Sequence, residues 1–567
     1  MRAVRILASA LALVGLVTAW VPAYASVGGN AVAYQGSPTH DGSSGDNGAP
    51  TLQRRWQRTL GGQVSYPLLA DGLAFVTTTM TGAYGTQLTA LDATNGATVW
   101  GPVDLGGTRS FSGIAYDGGV VFAVNYNGLL RAFDARTGTS IWTIKLTWAT
   151  SVMSPPTAAN GLVYVSSDER LYAVREGDGS IAWTASVYGD NSSPAVTSSA
   201  VYVSYACNQA YAFDPATGQQ LWHHAAGCWG GGGKTAAVHN GQVFTRDSSY
   251  GNLVLDGASG NTIRTYSATA IPAFAGDTMV ALNGSTLQAT DPNGSVLWTF
   301  AGDGSLTSAP VIAGGYAYIA SGKGNVFVVD VNTGRELWNV SVDNPVARPD
   351  EQSLIPPTGL AAANGVLLVP AGNTLTAFEP GGPRIVATAA GRHGDNGWFT
   401  SHVVVHFACA DGAAPLATEC PSDVTLDRQG AGQVVTGSAT DTAGRTSTAS
   451  VTVNIDTVAP TVGVSNGPVT YGREVQGIAA DDMSGASRVV VTFSSAASIG
   501  ATFDAELEPC ASGAAGCLTW KAAVPQGLLG VGLDGAPTAW VGKVTAVATD
   551  RAGLSTSMTT GLLTIVA

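Results

Sequence analysis

The sequence has 567 residues, of which 11% are charged and 45% are hydrophobic, and its formal net charge is −13. This hydrophobic content with so little charge excludes an intrinsically disordered chain, and an acidic balance without a basic field argues against nucleic acid as a partner. The length exceeds that of one compact core, and 73 glycines without a collagen-like period indicate many turns.

Residues 1–25 have the features of a signal peptide. Two arginines precede an apolar stretch over 6–21, and Ala23-Tyr24-Ala25 fits the small-residue cleavage rule. A transmembrane anchor is the alternative, but the stretch is short for a span and no second span follows. We therefore expect an exported chain with an N-terminal extension over 26–49 and no membrane span after signal removal.

All six cysteines lie in the expected mature chain, in pairs that are close in sequence. An even number of cysteines in an exported protein favours disulfides. Metal binding is the weaker interpretation, because no C-x-x-C spacing occurs. The expected disulfides are Cys207–Cys228, Cys409–Cys420 and Cys510–Cys517.

A tryptophan-containing repeat with a period of about 40 residues fills the chain from 50 to 382. Clear copies read Ala132-Phe-Asp134-Ala-Arg-Thr-Gly138-Thr-Ser-Ile-Trp142 and Ala212-Phe-Asp214-Pro-Ala-Thr-Gly218-Gln-Gln-Leu-Trp222. Each copy also contains short β-branched and aromatic runs between Gly, Asn and Asp turns, which predict antiparallel strands. This pattern is typical of the four-stranded blades of a propeller.

The residues of the repeat have a structural interpretation. Asp at the start of the turn accepts backbone N–H bonds, Gly tolerates a positive φ, and Trp supplies a large apolar surface between blades. Packing is therefore favoured over ligand binding as the role of these tryptophans. The expected docking residues are Trp56, Trp100, Trp142, Trp183, Trp222, Trp298 and Trp338, with Arg264 in place of the fifth tryptophan.

The eighth copy begins at Ala377-Phe-Glu379 and lacks its tryptophan. Trp56 stands before the first copy, 44 residues upstream of Trp100, so a strand around it can complete the last blade. Closure by an N-terminal strand removes the exposed edge of an open sheet. The sequence therefore predicts an all-β fold that begins with an eight-bladed β-propeller.

The A-x-D-x-x-T-G-x-x-x-W pattern resembles the tryptophan-docking repeat of the PQQ-like (quinoprotein-type) eight-bladed propellers. That group includes quinone-dependent alcohol dehydrogenases, and also non-catalytic members such as the β-barrel assembly lipoprotein of outer membranes and sensor domains of bacterial kinases. The resemblance implies, for the dehydrogenases, a vicinal Cys–Cys disulfide, a stacking Trp, a calcium ion held by Glu and Asn, and an Asp base. This sequence has no Cys-Cys pair, so we assign no catalytic residue and expect neither PQQ nor calcium in the propeller.

The period breaks after residue 382, and we expect two further modules at 383–457 and 458–567. Ala439-Thr-Asp441-Thr-Ala-Gly444 recurs as Ala548-Thr-Asp550-Arg-Ala-Gly553. These features resemble tandem bacterial immunoglobulin-like domains of secreted surface proteins. The resemblance implies β-sandwich modules that act as spacers, adhesive modules or carbohydrate-associated appendages.

Two groups of residues in this region are candidate metal ligands. Asp441, Asp481 and Asp482 could hold calcium, although turn carboxylates are the favoured interpretation. His402 and His406 share a strand face because their spacing is even, but no third ligand is evident. We therefore assign no metal site.

The stretch Gly227-Cys228-Trp229-Gly-Gly-Gly-Gly-Lys234-Thr235 is the most unusual in the propeller. It is not a phosphate loop, because Cys228 stands where that motif needs Gly and no strand-then-helix context surrounds it. Alignment with the repeat puts Lys234 at the start of an inner strand, near the channel. Trp229 and Lys234 form a ligand or partner patch in one interpretation; a blade-connecting loop stapled by Cys207–Cys228 is the favoured one.

The function expected from the sequence is a secreted, non-catalytic binding or scaffold protein, released or associated with the cell wall. Its propeller would present loops to a protein or carbohydrate ligand at the cell surface or in the extracellular matrix, and the chain is expected to be a monomer. The main alternative is a PQQ-dependent alcohol or sugar dehydrogenase with an altered site. An export-side assembly factor is a third interpretation, against which the missing lipid-anchor cysteine counts.

Overall fold

The computed structural model describes residues 29–225, 227–228, 230–465, 467, 469–471, 474–495, 501–525, 528 and 539–566. The signal peptide predicted at 1–25 lies outside these residues. The chain divides into two compact units, with the boundary between Pro380 and Gly381. Nearly every regular element is a β-strand, so the all-β prediction is confirmed. Within the described part of the chain, no helix has the length and apolar character of a membrane span.

The first unit contains eight sheets of antiparallel strands, which form the blades of a propeller; seven have four strands, and a short parallel strand extends the other to five. Two strands precede the blades, β1 (Ser43–Ser44) and β2 (Leu52–Thr59). A short 3-10 turn, Ala206–Asn208, separates two strands of blade 4. The strands of blades 1 to 4 are β3 (Leu68–Ala70), β4 (Leu73–Thr79), β5 (Thr86–Asp92), β6 (Thr98–Gly106); β7 (Ser112–Asp117), β8 (Val120–Asn125), β9 (Leu129–Asp134), β10 (Ser140–Lys145); β11 (Thr157–Ala159), β12 (Leu162–Ser167), β13 (Arg170–Arg175), β14 (Ile181–Ser186); β15 (Ala195–Val196), β16 (Val201–Tyr205), β17 (Gln209–Phe213) and β18 (Gln220–His224).

The ring closes at blade 8, where β2 pairs with the last strand of the propeller and Trp56 lies opposite Ala377. The innermost strand of blade 8 contacts those of blades 7 and 1, so no blade edge is left open between them. The strands of blades 5 to 8 are β19 (Ala237–His239), β20 (Gln242–Thr245), β21 (Asn252–Asp256), β22 (Thr262–Tyr266); β23 (Ala273–Ala275), β24 (Thr278–Asn283), β25 (Thr286–Thr290), β26 (Val296–Phe300); β27 (Val311–Ala313), β28 (Tyr316–Ala320), β29 (Asn325–Asp330), β30 (Glu336–Ser341); β31 (Ala361–Ala363), β32 (Val366–Ala371) and β33 (Thr374–Pro380).

Inner and outer strands of a blade differ in sequence because they differ in burial. β8 reads Val-Val-Phe-Ala-Val-Asn and is buried along nearly its whole length, since neighbouring blades cover both faces. β10 is the outermost strand of the same blade, and its side chains alternate between exposed and half-buried positions. The continuous apolar runs of the repeat therefore mark inner strands, and the alternating runs mark outer strands.

Each outer-strand tryptophan connects its blade to the next. Trp100 Nε1 donates a hydrogen bond to the Ala135 carbonyl of blade 2 at 2.8 Å. Its ring covers Gly138, where an added Cβ would lie 2.6 Å from the indole, so this turn requires glycine. The same indole-to-carbonyl bond joins Trp56 to Ala93, Trp142 to Glu176, Trp183 to Pro215, Trp222 to Gly257 and Trp298 to Val331.

Two copies of the repeat dock differently. Trp338 packs edge-on against Phe378, with ring centroids 5.7 Å apart, because the eighth copy has no T-G turn to receive it. Arg264 occupies the tryptophan position of blade 5, and its guanidinium lies 3.5 Å from the ideal Cβ position of Gly294. The arginine side chain therefore covers the same turn of the next blade that an indole would cover.

Residues 29–49, the N-terminal segment, follow the inner edge of the ring, although the sequence suggests only an extension ahead of the propeller. β1 pairs in parallel with β27, and the rest of the segment makes single contacts near the turns between inner strands. At least one contact reaches each blade, so the segment circles one end of the channel. In blade order these contacts are Ala31 with Leu69, Val32 with Tyr116, His40 with Thr157, Pro38 with Val196, Thr39 with Val238, Ser43 with Phe274, Gly42 with Ile312 and Asp46 with Gly365.

A histidine–aspartate pair, His239 with Asp41, links this segment to blade 5. His239 Nδ1 lies 3.2 Å from Asp41 Oδ2, and its Nε2 lies 2.8 Å from the Gly276 carbonyl. The hydrogen bond to Asp41 raises the pKa of His239. Burial lowers this pKa, whereas the hydrogen bond to the Gly276 carbonyl and the charge of Asp277 raise it further. A raised folded-state pKa stabilises the fold at pH values below about 6.5, and the stabilisation disappears as the pH rises through the raised value.

We therefore expect the unfolding free energy of the wild type to fall by up to about 1 kcal/mol as the pH rises from slightly acid to slightly alkaline. A His239→Gln variant should lack this part of the pH dependence when denaturation is measured across that range. His402→Gln, which replaces an exposed histidine, serves as the control and should leave the profile unchanged. Identical profiles for wild type and His239→Gln would contradict the assignment.

The first module of the second unit has two three-stranded sheets. The strands are β34 (Arg384–Ala390), β35 (Trp398–Phe399), β36 (Val403–Ala410), β37 (Val424–Leu426), β38 (Gly430–Thr440) and β39 (Thr446–Ile455). One sheet contains β34, β36 and β37, and the other contains β35, β39 and β38. Phe399, Phe407 and Ile455 belong to the apolar core that the two sheets share.

The second module also consists of two sheets around one core, which contains Phe493, Trp520 and Trp540. The strands are β40 (Thr461–Val464), β41 (Val469–Tyr471), β42 (Glu474–Ala480), β43 (Ala486–Ser494), β44 (Thr502–Asp504), β45 (Glu506–Pro509), β46 (Cys517–Ala523), β47 (Ala539–Asp550), β48 (Ser555–Thr559) and β49 (Leu563–Val566). The first sheet has the strand order β40-β42-β46-β45; the second has the order β41-β49-β47-β43-β44, with β48 also paired to β47.

Three disulfides join the sequence-local cysteine pairs. Their Cα–Cα distances are 5.5–5.8 Å, which is the usual separation for bridged cysteines. One staples the glycine-rich loop of the propeller, and each C-terminal module contains one other. The pairs are Cys207–Cys228, Cys409–Cys420 and Cys510–Cys517.

Candidate functional site

The channel opens at the end opposite the N-terminal segment, among the loops between blades and the turns between the two middle strands of each blade. Two adjoining cavities of about 470 and 200 Å³ lie there, and we call them together the channel mouth. Lys234, Arg246, Asp247 and Ser248 line both cavities. The larger cavity is also lined by Asn252, Tyr266, Asn283 and Arg348, and the smaller by Cys207, Tyr250 and Gln352.

The long connection 342–360 between blades 7 and 8 reaches across this opening. Gln352 Nε2 donates to the Gly233 carbonyl at 2.9 Å, beside blades 4 and 5. Arg348 donates to the Gly284 carbonyl of blade 6, and its side chain is otherwise exposed. The connection therefore forms one wall of the channel mouth.

A buried ion pair lies at the base of the channel mouth. Arg246 Nη2 and Glu351 Oε2 are 2.5 Å apart, with side chains 4% and 6% exposed. Arg246 also donates to the Thr235 carbonyl at 3.3 Å. Burial opposes the charge of Arg246, but Glu351, Tyr266 and Tyr34 together outweigh burial and raise the pKa of the guanidinium. The arginine is thus permanently charged and neutralised within the protein.

Two buried polar groups at this site have no hydrogen-bond partner among the described residues. They are Nε of Arg246 itself and the hydroxyl of Tyr266. Tyr34 of the N-terminal segment reaches the same place: burial and then the charge of Glu351 hold its pKa well above the ordinary value. Buried polar groups are nearly always hydrogen-bonded, to protein, water or ligand. The base of the channel mouth therefore offers polar groups to a small molecule or to a side chain inserted from outside.

Asp247 has a structural role. Its carboxylate accepts hydrogen bonds from the backbone N–H groups of Ser249, Tyr250 and Asn208 at 2.7–3.1 Å. Burial alone would raise its pKa, but these donors outweigh burial and lower it. Oδ1 therefore holds the turn that follows β20, and Oδ2 ties it to the 3-10 turn of blade 4.

Lys234 lies just before β19, on the wall shared by the two cavities. Its backbone carbonyl accepts a hydrogen bond from Ser204 Oγ at 2.6 Å, which fixes the main chain. Its side chain is half-buried, and the ammonium makes no hydrogen bond or ion pair with any residue that the structure describes. Trp229, the other residue of the patch predicted from the sequence, lies outside the described residues.

The glycines before Lys234 are needed for close packing. A Cβ on Gly230 would lie 2.1 Å from the Tyr188 carbonyl oxygen, and one on Gly233 would lie 2.2 Å from that of Ser204. Gly233 N also donates to the Asn191 carbonyl at 2.8 Å. With the Cys207–Cys228 disulfide, these contacts hold the loop against blade 4 and so position the lysine.

The quinone and calcium of the dehydrogenases that the repeat resembles do not fit the described lining of the channel mouth. Glu351 is committed to Arg246, and Asp247 to backbone N–H groups, so neither carboxylate is free to hold calcium. Cys207 and Cys228 are not neighbours in sequence and cannot form a vicinal disulfide. No step of quinone chemistry is derived from this site.

The other candidate metal ligands lie in the second unit. Asp441 forms an ion pair with Arg445 at 2.8 Å and holds a turn, and Asp482 is exposed. His406 Nδ1 lies 2.7 Å from Asp423 Oδ1 at the surface. Asp481 is buried beside Asp456 and Asp550, two carboxylates that the sequence reasoning did not connect with it.

Comparison with known proteins shows which family the repeat represents. The family model described as outer membrane protein assembly factor BamB matches residues 85–283, 208–411 and 283–500. BamB of Burkholderia pseudomallei is 28% identical over 250 residues, which are 42% of this chain and 58% of that protein. The serine/threonine-protein kinase AfsK of Streptomyces griseus is 30% identical over 163 residues, 26% of this chain and 20% of the kinase. The chain thus spans less than two thirds of the length of either relative.

Among solved structures, BamB from Moraxella catarrhalis is 20% identical, with a TM-score of 0.46 over 58% of this chain and 98% of that one. The quinohemoprotein alcohol dehydrogenase from Comamonas testosteroni is 13% identical, with a TM-score of 0.49 over 62% of this chain and 80% of that one. The matches to the family model together run from residue 85 to residue 500, most of the chain. This protein therefore belongs to the PQQ-like repeat family described as outer membrane protein assembly factor BamB.

Proposed function

We propose that this protein is an exported, non-catalytic binding protein whose channel mouth binds an acidic segment of a protein partner. The proposal rests on one observation: Lys234 lines both cavities, and its ammonium has no partner among the described residues. Arg348 lines the larger cavity from the opposite connection. The family is that of an assembly factor, which supports a protein partner over a carbohydrate.

The charges of the channel mouth support an acidic partner. Arg246 and Glu351 neutralise each other, and the Asp247 carboxylate is enclosed by backbone donors. Lys234 and Arg348 are left to face the cavity, in a chain whose net charge is −13. A local positive site attracts a complementary carboxylate and disfavours a positively charged partner.

Export is the setting that the rest of the chain supports. Residues 1–25 have signal-peptide features, and three disulfides are stable in oxidising compartments. In this proposal the protein works as a monomer on the extracellular side of the membrane. The two C-terminal modules are immunoglobulin-like spacers that hold the propeller away from a surface or attach it to one.

The proposal predicts that Lys234→Ala weakens binding of a fluorescent poly-glutamate peptide by about tenfold, since a hydrogen bond to a charged group contributes about 1.5–3 kcal/mol. The double variant Lys234→Ala/Arg348→Ala should bind more weakly still. Fluorescence anisotropy at low and moderate salt measures both, and the wild-type affinity should fall as salt increases.

Lys323→Ala is the control, because Lys323 is an exposed lysine in the turn between β28 and β29 of blade 7 and does not line the channel mouth. It should bind the peptide like the wild type, and poly-glutamine should not bind to either protein. Equal affinity of Lys234→Ala and wild type for poly-glutamate would contradict the proposed site. Saturable PQQ binding with calcium, accompanied by dye-linked oxidation of an alcohol or sugar, would contradict the non-catalytic assignment.

A further inference from the structure

Three aspartates from the ends of three different strands meet in the C-terminal unit. Asp456 follows β39 of the first module, whereas Asp481 follows β42 and Asp550 ends β47 of the second. One carboxylate oxygen from each lies within 4.8 Å of one from each of the others. Asp456, Asp481 and Asp550 are 0%, 6% and 2% exposed, respectively. Three buried carboxylates at this separation repel one another strongly.

Backbone donors fix the orientation of these carboxylates. Asp456 accepts from the N–H groups of Val458 and Ser484, both at 3.1 Å, and Asp481 accepts from that of Gly485 at 2.6 Å. These bonds leave the negative charges in place. Among the described residues, no Lys, Arg or His forms an ion pair with any of the three aspartates.

One oxygen of the cluster has no partner. Asp550 Oδ1 accepts a hydrogen bond from the Leu554 N–H at 2.9 Å, but Asp550 Oδ2 is buried with no hydrogen-bond partner among the described residues. An unpartnered carboxylate oxygen in a buried site is costly and calls for a cation or a donor.

The recurring sequence in the first module shows how the same position is satisfied by a side chain. Asp441 corresponds to Asp550 in the repeated Ala-Thr-Asp motif, and its Oδ1 accepts the N–H of Arg445 at 2.9 Å, as Asp550 Oδ1 accepts that of Leu554. The second oxygen, Asp441 Oδ2, accepts a hydrogen bond from Arg445 Nε at 2.8 Å. In the second module the arginine is replaced by Leu554, so the chain supplies no cation to Asp550.

We propose that Asp456, Asp481 and Asp550 bind one calcium ion, which supplies the positive charge that Arg445 supplies to Asp441. Carboxylate oxygens are the preferred ligands of calcium, which takes six to eight oxygens and accepts irregular geometry. Magnesium usually keeps several waters and uses one or two carboxylates, so a buried set of three favours calcium. Because Asp456 belongs to one module and the other two to the next, the ion links the two modules.

The test uses the full-length protein after removal of metal with EDTA. Calorimetric titration with CaCl₂ should show one calcium ion bound per chain through these residues, with weaker binding of MgCl₂, and calcium should raise the melting temperature of the C-terminal unit. Asp550→Asn should weaken this calcium binding by about tenfold or more, since it removes one of three charged ligands. Asp482→Asn, the control, removes an exposed neighbouring carboxylate and should bind calcium like the wild type.

A second variant keeps the proposal testable should Asp550→Asn fold poorly. Leu554→Arg restores the Asp–Arg arrangement of the first module, so it should stabilise the metal-free protein and weaken calcium binding by about tenfold or more. The proposal would be overturned by a wild type that shows neither binding heat nor a melting shift up to about 10 mM calcium, above the range typical of extracellular calcium modules. It would equally be overturned by Asp550→Asn or Leu554→Arg proteins that bind calcium as tightly as the wild type.

Discussion

A Trp100→Ala protein is expected to lose about 3–5 kcal/mol of unfolding free energy, the usual cost of deleting a large buried aromatic side chain. Trp100 is 8% exposed, donates to the Ala135 carbonyl and covers Gly138 of the next blade. Its removal leaves a cavity between blades 1 and 2 and a carbonyl without its donor. Equilibrium denaturation followed by circular dichroism measures the loss.

Trp148→Ala is the matched control, because Trp148 is 71% exposed and belongs to no docking contact. Its effect should stay within about 0.5 kcal/mol. A second comparison tests the receiving turn: Gly138 and Gly161 have similar positive φ values of 69° and 78°, but only a Cβ on Gly138 would meet the indole ring. Gly138→Ala should therefore destabilise more than Gly161→Ala, and equal losses within either pair of variants would refute the docking account.

The second large effect is expected from Glu351→Gln, which should cost about 3–5 kcal/mol because it leaves the guanidinium of Arg246 buried without a counter-charge. The same change should loosen the connection 342–360, since Glu351 is one of its anchors at the channel mouth. Denaturation measures the stability, and hydrogen exchange of the connection measures the loosening.

Asp504→Asn serves as the control, because it breaks an ion pair with Arg488 in which both side chains are 62% exposed. Exposed pairs contribute at most about 1 kcal/mol. The double variant Arg246→Met/Glu351→Leu should recover most of the stability, since a packed apolar pair often replaces a buried ion pair at little cost. If Glu351→Gln proved as mild as Asp504→Asn, Glu351 would not be the buried counter-charge of Arg246 that the geometry indicates.

The propeller could be predicted from the sequence because its information is local and repeated. Each turn places Asp, Gly and Trp at fixed offsets, and each contact joins one copy to the next. The N-terminal segment could not be predicted in this way. Its contacts combine backbone groups with the side chains of His40, Ser43 and Asp46 and are spread over all eight blades, so it carries no apolar period that a sequence pattern could show.

The connection 342–360 did leave a signal in the sequence. The repeat starts at Val328 and Ala377 are 49 residues apart, whereas the other starts are separated by 35 to 42 residues. The extra length indicates an insertion before blade 8, but spacing alone does not say where the insertion lies. The ion pair between Glu351 and Arg246 joins this connection to blade 5, and only the closed ring brings these two residues together.

The candidate sites also differ in how far the sequence could predict them. Alignment with the repeat predicts Lys234 near the channel, since a lysine directly before an inner strand must lie there. Asp456, Asp481 and Asp550 are far apart in sequence, and only the ends of three strands bring them together. A comparison of Arg445 with Leu554 in the two copies of the motif could have singled out Asp550, because only one copy carries its own cation.

The closing strand has a consequence for the order of events when the chain is made. β2 is among the first strands to be synthesised and β33 is the last strand of the propeller, so blade 8 is incomplete until some 380 residues have emerged. If the chain crosses a membrane from its N-terminus, its leading strand and the N-terminal segment wait without partners while seven blades follow. Such a non-local closing step is intrinsically slow, and it exposes an unpaired strand edge throughout transit.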